Sequence, residues 1–311
     1  MMIPVLLGVI TIVFILLHTT SGDPARIILG DNAPQEAYDK LNEEMGFNDP
    51  LPVQYGRYLY NLIVKRDMGN SYSTGRSVIG EIKNRFKNTM QLAVMSAIVT
   101  LILSAPLGVI AAIRQYSWMD NFSTTMALIM SSMPNFFLGL LLSLLFALKL
   151  KWLPAAGWKH WQNYILPVLT VALHATAGSM RQTRSAMLEI IRQDYIRTAR
   201  ANGQTELKVV WHHAFKNALI PIITIVAVLI GTLLGGAVVA ETVFSIPGLG
   251  KYMVEAIKIR DYPVVQGGVL VLSIMFSLVN LAADILYAFI DPRIKAQFGS
   301  RARRLKKEVK A

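Results

Sequence analysis

The chain has 311 residues, of which 53% are hydrophobic and 16% charged, and its mean hydropathy is +0.44. A soluble domain carries about 25% charged residues, so lipid rather than water is the main solvent of this sequence. The absence of cysteine excludes a disulfide scaffold and Cys-ligated zinc or iron–sulfur centres. The net charge of +12 points at first to nucleic acid. The basic residues, however, sit in the connections between apolar runs, as in membrane proteins, and no nucleic-acid partner is expected.

Residues 1–22 form the first apolar run. No small-residue cleavage site follows it, and it is long enough to cross a bilayer, so it reads as a membrane span rather than a signal peptide. Residues 23–89 form a connecting segment with 9 Lys/Arg against 9 Asp/Glu. Within it, Pro34 starts a helix over Gln35–Met45 that Gly46 stops. Pro52 opens a second helix through Lys65, and Ser77 caps a third that leads into the next span. In that third helix Ile79, Ile82 and Phe86 share one face. This fits a helix on the membrane surface and, equally, one half-buried against the rest of the segment.

Five more apolar runs follow, at 91–113, 122–148, 161–180, 217–240 and 262–283, the last continuing past Asp284. Each can cross about 30 Å of hydrocarbon. The expectation is an all-α membrane protein with about six transmembrane helices. It divides into a first helix (1–22), an extracytoplasmic segment (23–89), a five-helix core (90–290) with a cytoplasmic loop at 181–216, and a basic cytoplasmic tail (291–311). With the N-terminus inside, the inner segments carry 1, 7 and 8 Lys/Arg and the two short outer loops 3 each. That asymmetry favours both termini inside. Trp118, Trp152, Trp158 and Trp161 lie near span ends, as an interfacial belt requires.

The loop at 181–216 is too long and too patterned for a turn. Residues 185–201 read as an amphipathic helix, Asn202-Gly203 ends it with Gly203 in the left-handed conformation, and Thr205 caps a further helix with Glu206 in its first turn. A DNA-binding helix–turn–helix is disfavoured, because membrane spans tether this loop at both ends.

Four stretches carry a resemblance. Asp194-Tyr195-Ile196-Arg197-Thr198-Ala199-Arg200-Ala201-Asn202-Gly203, extended by 213–221, resembles the cytoplasmic "EAA" loop of binding-protein-dependent ABC importer permeases. Ser21-Gly22-Asp23-Pro24 after the first span, Glu241-Thr242-Val243-Phe244-Ser245-Ile246-Pro247-Gly248-Leu249-Gly250 after the fifth, and Asp261-Tyr262-Pro263-Val264-Val265-Gln266-Gly267 at the sixth are similar to the dipeptide/oligopeptide/nickel branch. The resemblance covers essentially the whole chain. Where the general family has Glu-Ala-Ala, this chain has Arg197-Thr198-Ala199, so no docking contact through a Glu at the first position is possible.

The resemblance implies the type I ABC importer permease (MetI-like) fold in the bacterial cytoplasmic (inner) membrane. It implies as partners a second homologous permease, two cytoplasmic ATPase subunits and an extracytoplasmic solute-binding protein. Tyr195, Ile196 and Ala199 would offer apolar contact to an ATPase cleft, Arg197 and Arg200 charged rim contacts, and Gly203 the tight turn, with Thr198 and Ala201 in the same helix. Di- and oligopeptides, nickel–chelator complexes and small oligosaccharide-like solutes are all cargoes of such permeases.

No phosphate-binding G-x-x-x-x-G-K-[ST] loop is present; Gly248-Leu249-Gly250-Lys251 comes nearest, but Tyr252 follows. ATP and Mg²⁺ are therefore expected on partner subunits and no cofactor on this chain. The five histidines have no metal-ligand spacing, and no catalytic constellation lies within the spans. That argues against an intramembrane enzyme. A self-sufficient secondary transporter or channel would need several polar groups at mid-membrane, and only His174, Asn280 and Asp284 are candidates. His174 is expected to bond a neighbouring helix, and Asp284 to pair with a helix or an arginine. Ser131, Ser132 and Asn135 around Pro134, with Gly231, Gly235 and Gly236 in the fifth run, are expected to line a translocation path.

Overall fold

The computed structural model describes residues 2–19, 24–30 and 32–290. Ser21, Gly22 and Asp23 of the first motif and the basic tail lie outside them. Among the described residues the secondary structure is helical, apart from one isolated bridge between Asn70 and Ser77. Two compact units are formed: the first from Met1–Leu92, Ser143–Pro167 and Leu234–Phe276, the second from Ala93–Leu142, Val168–Leu233 and the residues after Phe276.

Helix α1 spans Met2–Thr19, and α2 covers Pro24–Leu29. Then α3 occupies Gln35–Met45 and ends as expected: Gly46 is left-handed at φ 69°, and its N–H and that of Phe47 return to Glu43 and Asn42. Helix α4 spans Leu51–Ile63 with Pro50 as its N-cap. The third short helix does not exist separately, because α5 runs unbroken over Val78–Ile113. In its early turns Val78 and Ile82 are buried against Leu249, Tyr252, Met253, Val264 and Val265, while Ile79 is exposed. This stretch is therefore half-buried, chiefly against residues 249–265 and not against the rest of the 23–89 segment.

Helix α6 covers Trp118–Ser132, capped by Ser117, and α7 covers Asn135–Leu142, continuing as a π-helix over Ser143–Lys149. The expected span at 122–148 is therefore not one straight helix. The two halves meet at 105°. Pro134 explains the break, since the residue before proline is pushed out of the helical region, and Met133 is extended at φ −84°, ψ 128°.

Helix α8 runs over Gln162–Ile191, α9 over Asp194–Ala201 and the single turn α10 over Glu206–Lys208. A π-helical stretch, Val209–Phe215, leads without interruption into α11, Lys216–Val243. The chain closes with α12, Leu249–Lys258, and α13, Tyr262–Ile290. The expected helix at 185–201 is thus two pieces. Its first half belongs to α8, and Gln193, extended at φ −70°, ψ 150°, starts α9.

Met2–Thr19, Val78–Ile113 and Tyr262–Ile285 are each long and apolar enough to cross a membrane, and the bent α6–α7 pair makes a fourth span if taken together. Of the four belt tryptophans, Trp118, Trp152 and Trp161 are exposed, while Trp158 is buried against Tyr164 at 4.4 Å between ring centroids. Nδ1 of His174 is buried, and among the described residues it has no hydrogen-bond partner. Asp284 is exposed, and no ion pair to it forms among the described residues.

Candidate functional site

Helix α9 has only eight residues, too few to hold itself in water. It is held by the second unit. Ile196 is fully buried and Ala199 is 7% exposed, packed with Val109, Ala112, Met187, Val209, Val210, Ala214, Ala218 and Ile222. Burying an isoleucine side chain contributes about 1.5–3 kcal/mol. Ile196 and Ala199 therefore do not present apolar contact to a partner: three residues apart along a helix means one face, and here that face points into the chain's own core.

The opposite face is free for contact. Asp194, Tyr195, Arg197, Thr198 and Ala201 are exposed, Tyr195 by 45%. The Arg197 guanidinium is 3.8 Å from Asp194, and the Thr198 hydroxyl donates to the Asp194 carbonyl at 3.0 Å. Arg200 donates to Glu206 at 2.7 Å, closing the turn from α9 to α10. Gly203 is left-handed at φ 73°, and its N–H bonds the Arg200 carbonyl at 3.0 Å. Thr205 takes the N-cap position but its hydroxyl makes no cap bond. Instead His213 and Gln204 share a 2.7 Å bond across the turn.

The same unit holds an ion pair absent from the expectations. Arg184 on α8 donates twice to Asp120 at the start of α6, both at 2.8 Å. Asp120 also accepts from the Tyr116 N–H at 3.0 Å. The Arg184 guanidinium beside it holds the Asp120 carboxyl below the usual carboxylate range. Asp120 is 3% exposed, and two charged residues more than sixty positions apart leave no local signal in a sequence.

In the first unit the quoted motifs fasten loops. Glu241, fully buried, accepts from the Thr89 hydroxyl at 2.5 Å and from the Lys251 N–H at 2.9 Å, and Thr89 in turn accepts from the Leu249 N–H at 2.9 Å. The carboxylate thus sits at the N-terminus of α12, where a helix favours negative charge. Burial pushes the Glu241 carboxyl up, against the pull of its donors. Gly248 and Gly250 make room for it: a Cβ on Gly248 would stand 2.1 Å from its carboxyl carbon. Asp261 is the second such group. It accepts from the Ser71 and Ser73 hydroxyls at 2.6 and 3.1 Å and from the Tyr72 N–H at 3.1 Å. Burial, with Asp261 and Tyr262 adding, pushes the Tyr72 hydroxyl well above its ordinary range.

The expected path residues are less organised. Ser131 and Ser132 both donate to the Leu128 carbonyl, at 3.0 and 2.8 Å, and Asn135 Oδ1 is buried without a partner. Gly231 is buried, and Gly235 has no atom within 4 Å of the place a Cβ would take. Among the described residues no cluster of His, Cys, Asp and Glu could hold a metal ion.

Known proteins match along nearly the whole length. Residues 104–296 match the family described as "Binding-protein-dependent transport system inner membrane component", and residues 1–93 match the N-terminal family of the same systems. The dipeptide transport system permease protein DppB of Alkalihalophilus pseudofirmus is 40% identical, over 95% of this chain and 97% of its own. The glutathione transport system permease protein GsiC of Escherichia coli K12 is also 40% identical, over 94% and 96%. Among solved structures, a chain of the MetNI methionine ABC transporter in inward-facing conformations superposes with a TM-score of 0.56 at 17% identity, over 68% of this chain and 97% of that one. A chain of an amino acid ABC transporter gives 0.52 at 10% identity, over 69% and 94%. The fold is therefore that of ABC importer permeases. Motifs, fold and relatives agree that this chain is a multi-pass inner-membrane protein belonging to the binding-protein-dependent transport system inner membrane component family, the permeases of ABC importers.

Proposed function

We propose that the chain is one half of the pore of an ATP-driven importer of di- or oligopeptides. The observation that carries the cargo class is 40% identity over 94–95% of the chain to two permeases named for small peptides, a dipeptide and glutathione. The second half of the pore is a homologous permease, two ATPase subunits dock on the cytoplasmic side, and a solute-binding protein delivers cargo from outside. ATP and Mg²⁺ bind the ATPases, and this chain carries no cofactor. Both termini lie in the cytoplasm, which leaves 181–216 inside and 23–89 outside.

The coupling element is α9 with its turn. Its exposed face, Tyr195, Arg197, Thr198 and Ala201, meets the ATPase. Its inward face, Ile196 and Ala199, is seated among residues of α5, α8, the π-helical stretch and α11. A push on α9 is thereby passed to those helices without a further joint, because a close-packed core transmits displacement. Gly203 sets the turn that orients the face. The path follows the Ser131–Asn135 break in the α6–α7 pair, with Gly231 and Gly235 on α11.

Uptake of a radiolabelled dipeptide by cells carrying the complete transporter tests the cargo. Uptake abolished by deletion of this chain and competed by dipeptides supports the reading. Uptake of nickel or a metal–chelator complex in its place overturns it. Cysteines at Asn48 and Glu206 test the orientation: only the first should react with an impermeant reagent added outside. Cysteines at Ser131, Ser132 and Asn135 test the path, and silence toward aqueous reagents in every nucleotide state would move it elsewhere.

A further inference from the structure

The helix α4 is apolar, yet none of its thirteen residues is buried. Val53, Tyr60 and Ile63 are exposed by 50, 55 and 63%, and Val64 just beyond by 61%. A polar neighbour shows the contrast: α3 reads QEAYDKLNEEM and buries Tyr38. A contiguous apolar face of this size on a loop in water calls for a cover.

The place of α4 along α1 identifies the cover. The Tyr55 hydroxyl is 2.6 Å from the hydroxyl of Thr11. The Phe14 ring lies 5.1 Å from the Tyr55 ring and 6.1 Å from that of Tyr58. Thr11 and Phe14 precede the end of α1 at Thr19 by eight and five residues, which is about 12 and 7.5 Å at 1.5 Å per residue. Side chains on a helix lean toward its N-terminus, which sets the Phe14 ring deeper still. Two residues of α4 thus touch the span below its end, so α4 lies against the span and not above it. The argument holds whichever side of the membrane the segment occupies, because α4 follows the end of α1 that it flanks.

We propose that α4 is a membrane-embedded interfacial helix: Tyr55 and Tyr58 pack on α1, and Val53, Tyr60, Ile63 and Val64, on the far side, enter the acyl chains of the adjoining lipid leaflet. Ile12, Ile15 and Leu16 of α1 are likewise exposed, by 59, 51 and 60%, as the lipid-facing side of a span would be. The charges fit a helix at the boundary of headgroups and acyl chains. Lys65 and Arg66 follow the helix end and are exposed toward phosphates, with the Lys65 ammonium 5.6 Å from the Tyr60 ring. Arg57 lies on the far side too, but its guanidinium turns back to Asp49 and to the Met45 carbonyl at 3.2 Å. The segment between the first two spans is then fixed to the bilayer, and not a free extracytoplasmic domain.

The chain has no cysteine, so single cysteines at Val53, Tyr60 and Ile63 take a nitroxide label cleanly. The probe is the complete transporter in nanodiscs of phosphatidylethanolamine and phosphatidylglycerol. Power saturation compares collision with oxygen, which concentrates in acyl chains, against a water-soluble nickel chelate. Leu16 on α1 and Lys40 on α3 serve as lipid and water references. The expected result is an oxygen-to-nickel ratio at 53, 60 and 63 that matches Leu16 and exceeds Lys40. A ratio matching Lys40 would place the face in water and overturn the proposal. Low collision with both reagents would mean that protein covers it, and would overturn the proposal equally.

Discussion

The two units hold their buried acids in opposite ways. In the second unit Asp120 is met by a full counter-charge, the Arg184 guanidinium, through two parallel bonds. In the first unit Glu241 and Asp261 are met by neutral donors: hydroxyls of Thr89, Ser71 and Ser73, and backbone N–H groups of Lys251 and Tyr72. A paired charge joins two helices with a directional fork. An acid ringed by N–H and O–H groups freezes irregular backbone, because each donor it binds is a turn that would otherwise need water. The difference follows the job. The second unit must keep long helices in register around α9, whereas the first must hold loops between helices.

The first prediction with the largest effect separates the two arrangements. Arg184→Met strips the guanidinium from a nearly buried carboxylate, and breaking such a pair costs about 3 kcal/mol. A lowered thermal midpoint of the purified transporter checks it. The double variant Asp120→Leu/Arg184→Met should recover most of the loss, since no orphan charge remains. If the double variant is as unstable as the single one, the pair matters for packing and not for charge.

Glu241→Gln comes next. It leaves no charge behind but turns an amide N–H₂ toward groups that are themselves donors. Losing one buried bond in this way costs about 1–3 kcal/mol. Partial proteolysis should then cut within 244–260 faster than in the parent, with the second unit unaffected. Protection unchanged from the parent would show that the acid is not what holds this loop.

Gly203→Val is smaller, on the order of 1–2 kcal/mol, because a β-branched residue resists positive φ. Its readout is functional: reduced co-purification of the ATPases with the permease still inserted. Tyr195→Ala should do the same with no change in thermal midpoint, whereas Ile196→Ala should lower the midpoint, because the cavity it leaves costs about 2 kcal/mol or more. If Tyr195→Ala destabilises and Ile196→Ala does not, the assignment of faces is reversed.

The last prediction is a sign. The Asp120 carboxyl is held low by Arg184, so its contribution is present above the ordinary carboxylate range and is lost as pH falls through the lowered folded value. The Glu241 carboxyl is pushed up by burial, so its contribution is present below the ordinary value and is lost as pH rises through the raised one. Acidification should thus weaken protection around Asp120 only as pH falls below the ordinary carboxylate value, while protection of 244–260 improves as pH falls through the raised Glu241 value. Hydrogen exchange at several pH values, corrected for intrinsic rates, reads both. Parallel trends in the two regions would remove the distinction.

Much of this is legible in the amino-acid sequence alone. Apolar runs near twenty residues allow little but a span, and Pro34 with Gly46 bracket α3 because one fixes φ and the other permits a positive φ. Gly203 was readable for the same reason. What escaped depends on long-range partners. The pattern of α9 marks two faces but not which one is buried, and Ile196 and Ala199 are claimed by four other segments. The break before α9 comes from a single extended residue, Gln193. Pro134 marks a place prone to kink, but the size of the bend, 105°, does not show in the run. Asp120 and Arg184 look like ordinary loop charges until the fold joins them. Glu241 and Asp261 stood in plain view within recognised motifs, but their chemistry appears only once Thr89 and Ser71 arrive from elsewhere in the chain.

The glycines around Glu241 constrain how such a chain can change. An added Cβ at 248 would collide with the carboxyl carbon, and one at 250 would stand 2.7 Å from the Val238 backbone. Positions 241 and 248 are therefore not independent letters. A side chain can enter at 248 only if the acid at 241 shortens or leaves, and either change alone passes through a worse molecule. A library randomising both positions under selection for uptake should return the Glu–Gly pair, or joint replacements in which 241 is small, and few mixtures of the two. For anyone grafting these loops between transporters, the unit to be moved is the trio of 89, 241 and 248, carried together.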